Sequence, residues 1–168
     1  FGTVSIPFHR NLPRFGTGFG VGNPRNYDNE ITAFVDGSGV YGSEQDRADW
    51  LRTFTGGKLK VSAGNLLPYN TVDGEINGDR DPNAPFMANG TGFSGPMFVA
   101  GDVRANENPL LGGFHTLFVR EHNEQCERLQ QAHPEWADQE LYQHARKLVG
   151  GLIQSIVYNE WLPAMGVC

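Results

Sequence analysis

The chain has 168 residues, which is enough for one domain with a hydrophobic core. Its hydrophobic fraction of 39% exceeds that of disordered proteins, and its formal net charge of −6 argues against nucleic acid or an anionic membrane as the main partner. No apolar run approaches the roughly 20 residues that a membrane span needs. The sequence therefore predicts a globular piece without a membrane span.

The N-terminal part of the chain is rich in glycine, proline and other turn-forming residues. Residues 1–30 predict an extended arm, and residues 31–43 predict a loop around a bound ion. Residues 44–55 predict a short helix with Ser43 as its N-cap. Residues 56–97 carry repeated turn signals such as DGE, NGD and NGTG, and they predict irregular structure with at most one short hairpin.

The first long helix is predicted over residues 109–132. Asn108 can cap it, and Pro109 suits a first turn in which no amide donor is needed. Apolar side chains recur at three- and four-residue spacing and predict one buried face, made of Leu110, Leu111, Phe114, Leu117, Phe118 and Leu129.

The second long helix is predicted over residues 138–161, with Asp138 as its N-cap and Pro163 as its end. Its predicted buried stripe consists of Leu141, Ala145, Leu148, Val149, Leu152, Ile156 and Val157. With two long helices after a loop-rich N-terminal part, the predicted fold class is mainly α.

Two sets of residues could carry chemistry. Arg104 and Glu107 stand three residues apart just before the first long helix. From these residues alone, a surface ion pair of Arg104 with Asp102 or Glu107 is the simpler interpretation. In the second set, alternate residues of Thr32-x-Phe34-x-Asp36-x-Ser38 project the same way, so their oxygens could converge on a calcium ion. A strand end followed by a D-G-S-G turn is the alternative.

Three motifs in one order carry a family resemblance. These are T-x-F-V-D-x-S-x-V-Y-G-S at residues 32–43, then G-D-x-R-x-x-E with H-T-L and R-E-H-N at 101–123, then ELYQHARKLVGGLIQSIVYNEWLP at 140–163. Together they resemble the animal-type haem peroxidases, a superfamily that includes the cyclooxygenases as distant members. The resemblance covers about residues 29–165. It implies that residues 1–168 form a single partial domain, a central portion of the catalytic domain of a haem peroxidase.

The resemblance also implies residue roles. It assigns Arg104 as the catalytic arginine that stabilises charge on the peroxide, and Glu107 as the residue that forms an ester with haem b. It assigns calcium binding to the backbone carbonyl of Phe34 and to the side chains of Thr32, Asp36 and Ser38. The implied cofactors are therefore covalently linked haem and Ca²⁺, and the implied substrates are hydrogen peroxide and small electron donors such as a halide or a phenol.

Neither haem-pocket histidine of the family is recognisable in the sequence. His9 lies upstream of the calcium motif but lacks the family's D-H or D-Q-H setting, and His115 and His122 fit packing or hydrogen-bonding roles on the first long helix. We therefore expect an internal segment whose partner is the remainder of the peroxidase domain, and weak or no activity from these residues alone. An extracellular location is an implication of the family only.

Two other functions remain open. One is a fatty-acid dioxygenase of the cyclooxygenase-like branch, against which Glu107 and the calcium motif argue. The other is a non-catalytic, peroxidase-like adhesion or matrix module.

Overall fold

A computed structural model describes residues 12–29, 31–90 and 92–167. Its contacts divide the chain into two compact units, residues 1–33 and 34–168. In the described part of the first unit the chain doubles back, because Gly20 pairs with Asn23 and the Arg14 amide donates to the Asn26 carbonyl at 2.7 Å. The prediction of an extended arm over residues 1–30 is therefore wrong for residues 12–29, the part of that segment that the structure describes. The left-handed φ of +143° at Gly20 permits the reversal.

The second unit begins with two short helices. Helix α1 spans Ser38–Tyr41 and helix α2 spans Gln45–Trp50. The segment predicted as a loop over residues 31–43 thus contains one helical turn. The N-cap of α2 is Glu44, one residue after the predicted Ser43.

Helix α3 spans Pro109–Ala132, as predicted. The side chain of Asn108 accepts a hydrogen bond from the Leu111 amide at 2.9 Å, which satisfies one of the free donors of the first turn. His133 forms the C-cap.

Helix α4 spans Asp138–Ile156, followed by a π-helical turn at Val157–Trp161 and by helix α5 at Leu162–Ala164. The predicted end at Pro163 is wrong, because this proline falls in the first turn of α5, where it needs no amide donor.

The predicted N-cap of α4 is also wrong. Ala137 occupies that position, and Asp138 is the first helical residue. The carboxylate of Asp138 instead accepts hydrogen bonds from the Gly57 amide at 2.7 Å and from Arg52 at 2.6 Å. The Asp138 side chain therefore makes tertiary hydrogen bonds instead of the capping bond that the local sequence predicts.

The buried core of the second unit lies among α1, α3, α4 and the irregular segment between α2 and α3. On α4 the predicted stripe is buried at Leu141, Ala145 and Val149, whereas Leu148 and Leu152 are exposed. On α3 the buried residues are Val119, His122 and Cys126. The predicted apolar face of α3 is exposed at Leu110, Phe114 and Leu117, so the prediction was wrong at these positions, whereas Phe118 is partly buried against the core.

The mainly α fold class is confirmed. In residues 12–29, 31–90 and 92–167 the extended pairings are isolated bridges such as Arg52 with Leu59, and no strand forms. No helix in this described part is long and apolar enough to cross a membrane.

Candidate active site

The segment before α3 is held in place from two sides. Arg47 is buried and donates from its guanidinium to the carbonyls of Ala100 at 3.1 Å and Phe86 at 2.8 Å. Burial lowers the pKa of Arg47. The side chain of Asn106 pairs with the backbone of Phe98, donating at 2.8 Å and accepting at 3.2 Å. These bonds fix both ends of the turn that carries the predicted catalytic residues.

Arg104 forms an ion pair with Asp102. Oδ1 of Asp102 accepts from the Arg104 backbone amide at 2.8 Å and from Nε at 2.9 Å, and Oδ2 accepts from Nη2 at 2.6 Å. The hydrogen bond from Arg104 holds the pKa of Asp102 below its usual range, and the Asp102 carboxylate raises the pKa of Arg104. The surface ion pair that the sequence left open is thus present, with Asp102 as the partner.

The backbone at Gly101 lies directly against α1. A Cβ atom at this position would lie 2.2 Å from the Ser38 carbonyl oxygen and 2.6 Å from the Gly42 nitrogen, so only glycine fits here. On the same side, His115 donates from Nδ1 to the Gly39 carbonyl at 2.9 Å. Burial lowers the pKa of His115, which favours the neutral ring. Helix α1 therefore contacts both the Arg104 turn and α3.

Glu107 lines a cavity of about 860 Å³ against the first half of α3. The side chains of Leu110, Phe114 and Leu117 are 79%, 62% and 55% exposed, and all three line this space. Gly113 also lines it, and nothing lies within 4 Å of where its Cβ would be. A mostly apolar cavity of this size, with a carboxylate at its edge, is within the range of cofactor sites.

The lining is largely apolar with one carboxylate, that of Glu107, which suits a haem group, and the ester to Glu107 stays a prediction. The cavity does not contain an iron ligand, because no histidine is among the described residues of its lining. Arg104 is likewise outside that lining, although it is three residues before Glu107 and its carbonyl accepts from the Glu107 amide at 2.9 Å. The assignment of Arg104 and Glu107 to a haem pocket therefore stays a prediction.

The histidines of α3 are engaged elsewhere, which confirms their predicted hydrogen-bonding roles. His122 is fully buried, accepts at Nδ1 from the Tyr41 hydroxyl at 2.9 Å and donates from Nε2 to the Gly57 carbonyl at 2.9 Å. Burial lowers the pKa of His122 to about 4. No local pattern indicates that Tyr41 is its partner, since 81 residues separate the two.

The predicted calcium ligands are divided between the two units. Thr32 belongs to the first, where its carbonyl accepts from the Asn29 side chain at 2.8 Å. Phe34, Asp36 and Ser38 belong to the second, where the Ser38 amide donates to Oδ1 of Asp36 at 3.0 Å. No cluster of three or more His, Cys, Asp or Glu side chains that could hold a metal occurs in the described part of either unit. The calcium site remains a prediction, and His9 lies outside the described residues.

Residues 1–165 match the family model described as animal haem peroxidase. The chain belongs to the animal haem peroxidase family. The match begins at residue 1, ahead of the three motifs that carry the resemblance in the sequence. Dual oxidase 1 of Rattus norvegicus is 38% identical over 163 residues, which is 97% of this chain and 10% of that protein. The chain thus spans about a tenth of the length of this relative.

Two solved structures show the same fold. Peroxidase A from Dictyostelium discoideum aligns with a TM-score of 0.68 and 30% identity, over 84% of this chain and 26% of that one. A fatty acid alpha-dioxygenase of Oryza sativa, solved with palmitic acid, aligns with a TM-score of 0.54 and 30% identity, over 75% of this chain and 17% of that one. The animal haem peroxidase fold explains the mainly α architecture, and the family implies haem.

Proposed function

We propose that this chain forms part of the haem pocket of a peroxidase that oxidises small donors with hydrogen peroxide. The observation that carries the proposal is the apolar cavity along α3, which has Glu107 at its edge and the Asp102–Arg104 pair in the turn just before it. Membership of the animal haem peroxidase family supports the same function. A bound haem would supply the iron that accepts oxidising equivalents from peroxide.

Arg104 is the proposed catalytic residue. Its guanidinium keeps a permanent positive charge, and the Asp102 carboxylate raises its pKa further. Such a group stabilises the negative charge that develops on the peroxide as the oxygen–oxygen bond breaks. The pairing with Asp102 uses Nε and Nη2, so within the described residues Nη1 can still donate to another group.

Replacement of Arg104 tests this role. We expect Arg104→Ala to slow the reaction of the intact native protein with hydrogen peroxide by about 10²–10³, the effect of removing one donor from a charge-stabilising site. Rapid-mixing absorption spectroscopy would measure it. Arg128→Ala is the control, because Arg128 is an exposed α3 arginine that pairs with Glu124. An unchanged rate in Arg104→Ala would contradict the assignment.

Glu107 is the proposed covalent anchor. Its place in the cavity lining puts a carboxylate beside the space that a macrocycle would fill. In the native protein, we expect haem to stay attached through denaturation. We expect the Glu107→Gln variant to release its haem on denaturation, as measured by haem staining after denaturing electrophoresis. Haem that stays bound to the denatured Glu107→Gln variant would contradict the assignment.

The remaining parts of the proposal follow the family. Thr32, Asp36 and Ser38 would bind Ca²⁺ through side chains and Phe34 through its carbonyl. Residues 1–168 would be one partial domain whose partner is the remainder of the peroxidase domain, and the protein would be extracellular.

A fatty-acid dioxygenase is the second candidate. The observation that favours it is the apolar character of the cavity together with the structural likeness to the rice enzyme solved with palmitic acid. Incubation of the native protein with palmitate and with linoleate discriminates the two functions. Oxygen uptake that depends on the fatty acid would favour a dioxygenase, whereas dye oxidation that depends on peroxide would favour a peroxidase.

A further inference from the structure

Asp102 does more than neutralise a neighbouring charge. We propose that Asp102 is the positioning residue of Arg104, which it clamps in one orientation before peroxide arrives. This inference rests on the proposed catalytic role of Arg104. It adds Asp102 to the site, a residue for which the sequence indicated only a surface ion pair.

The geometry of the pair is that of a clamp. Oδ1 of Asp102 bonds both the backbone amide and Nε of Arg104, and Oδ2 bonds Nη2. One carboxylate thereby holds the base and the tip of the same side chain. An arginine side chain otherwise samples many rotamers, and a bidentate, charge-assisted pair restricts them.

The clamp is itself held by the fold. The side chain of Asp102 is only 14% exposed, whereas that of Arg104 is 55% exposed. The preceding residue, Gly101, lies with its backbone against α1, and the Asp102 carbonyl accepts from the Ala105 amide at 3.3 Å. The carboxylate is thus anchored, and the guanidinium extends from it towards solvent.

The charged groups around Asp102 are consistent with this role. Arg104 supplies the main interaction, and His115 lies nearby with its neutral ring favoured by burial. Arg47 also experiences the Asp102 charge from its buried position. An ion pair whose arginine is about half exposed contributes little to stability, so the benefit of this pair lies in pre-orienting the donor fork.

Chemical labelling tests the clamp without haem or peroxide. Phenylglyoxal modifies accessible guanidinium groups, and peptide mass spectrometry reports the rate at each arginine of the native protein. We expect Asp102→Asn to raise the labelling rate of Arg104 about tenfold, the effect of losing hydrogen bonds to a charged partner. The matched control is Glu124→Gln, which breaks the exposed pair of Arg128 and should raise the labelling rate of Arg128 only about twofold.

A second variant and a kinetic readout separate positioning from general stability. Asp102→Glu keeps the charge but lengthens the side chain, so we expect intermediate labelling, which keeps the test decisive if Asp102→Asn fails to fold. In the intact protein, Asp102→Asn should slow the peroxide reaction without changing the KM for the electron donor. The same change made on top of Arg104→Ala should have no further effect.

Two results would overturn the proposal in different ways. Unchanged labelling of Arg104 in both Asp102 variants would show that Asp102 does not hold the guanidinium. Faster labelling combined with a normal peroxide reaction in Arg104→Ala would show that the held arginine has no part in catalysis, and the proposed function of Arg104 would then fail as well.

Discussion

Gly101 is a position at which the structure predicts a large effect of a single methyl group. In Gly101→Ala the new Cβ would lie 2.2 Å from the Ser38 oxygen, 2.6 Å from the Gly42 nitrogen and 2.7 Å from the Gly39 carbonyl carbon. All three neighbours are backbone atoms of α1 or its C-cap, so no side chain can rotate away. Either α1 or the Arg104 turn must therefore shift.

The expected cost follows from these distances. Overpacking by a methylene group typically costs about 1–3 kcal/mol, and three backbone contacts place Gly101→Ala near about 3 kcal/mol. The matched control is Gly151→Ala on α4, where nothing lies within 4 Å of the new Cβ. This variant should be stabilised by about 0.5–1 kcal/mol, because alanine has the higher helix propensity.

Two measurements on the intact protein would check this prediction. Urea unfolding gives the difference in the free energy of unfolding between the two variants. Hydrogen exchange at the Gly42 amide, which donates to the Ser38 carbonyl at 2.8 Å, reports the local shift and should be faster in Gly101→Ala. Equal stability of Gly101→Ala and Gly151→Ala, with unchanged exchange at Gly42, would refute the reasoning.

Two further predictions concern buried ionisable side chains. The depressed pKa of His122, about 4 against 6.5, means that the unfolded chain takes up a proton first as the pH falls. The contribution of His122 to the free energy of unfolding should be fully present above pH 6.5 and should fall by roughly 3 kcal/mol between pH 6.5 and 4. Urea unfolding at each pH would measure this loss. His122→Gln should reduce the loss, and His144→Gln should not. Asp138→Asn should cost roughly 3 kcal/mol in the same assay, because it leaves the buried Arg52 unpaired. Glu127→Gln, which removes an exposed pair, should cost much less than Asp138→Asn, and equal losses in these two variants would contradict the argument.

The long helices were predictable because their signals are local. Asn108, Pro109 and the apolar spacing that follows set the start of α3, and the structure places that start where the sequence did. The π-helical turn at Val157–Trp161 had no comparable signal. At Asp138 the capping signal was misleading, because Arg52 and Gly57 compete for the same carboxylate across the fold.

The burial of α3 could not be predicted from periodicity. The helix is apolar on more than one side, and spacing alone does not say which side meets the core. The structure buries Val119, His122 and Cys126 and leaves Phe114 and Leu117 exposed along the cavity. An apolar face that stays exposed beside a glutamate is what the proposed cofactor site requires.

The candidate site was only partly predictable. Arg104 and Glu107 emerged from a motif, because their spacing in the chain is short and characteristic of the family. The Asp102–Arg104 pair is local and the sequence indicated it, but its three hydrogen bonds and the burial of Asp102 come from the structure. The contact of Gly101 with α1 joins segments that lie about 60 residues apart in the sequence. No pattern within one segment reports such a contact.

The most direct test of the account is to find which peptide of the native protein carries haem. Trypsin cleaves after Arg104 and Arg120, and the peptide between them, residues 105–120, contains Glu107 as its only acidic side chain. We expect mass spectrometry to find haem attached to this peptide in the native protein and absent from it in Glu107→Gln. A native peptide 105–120 that is fully recovered without haem would contradict the proposal that Glu107 anchors the cofactor in the cavity along α3.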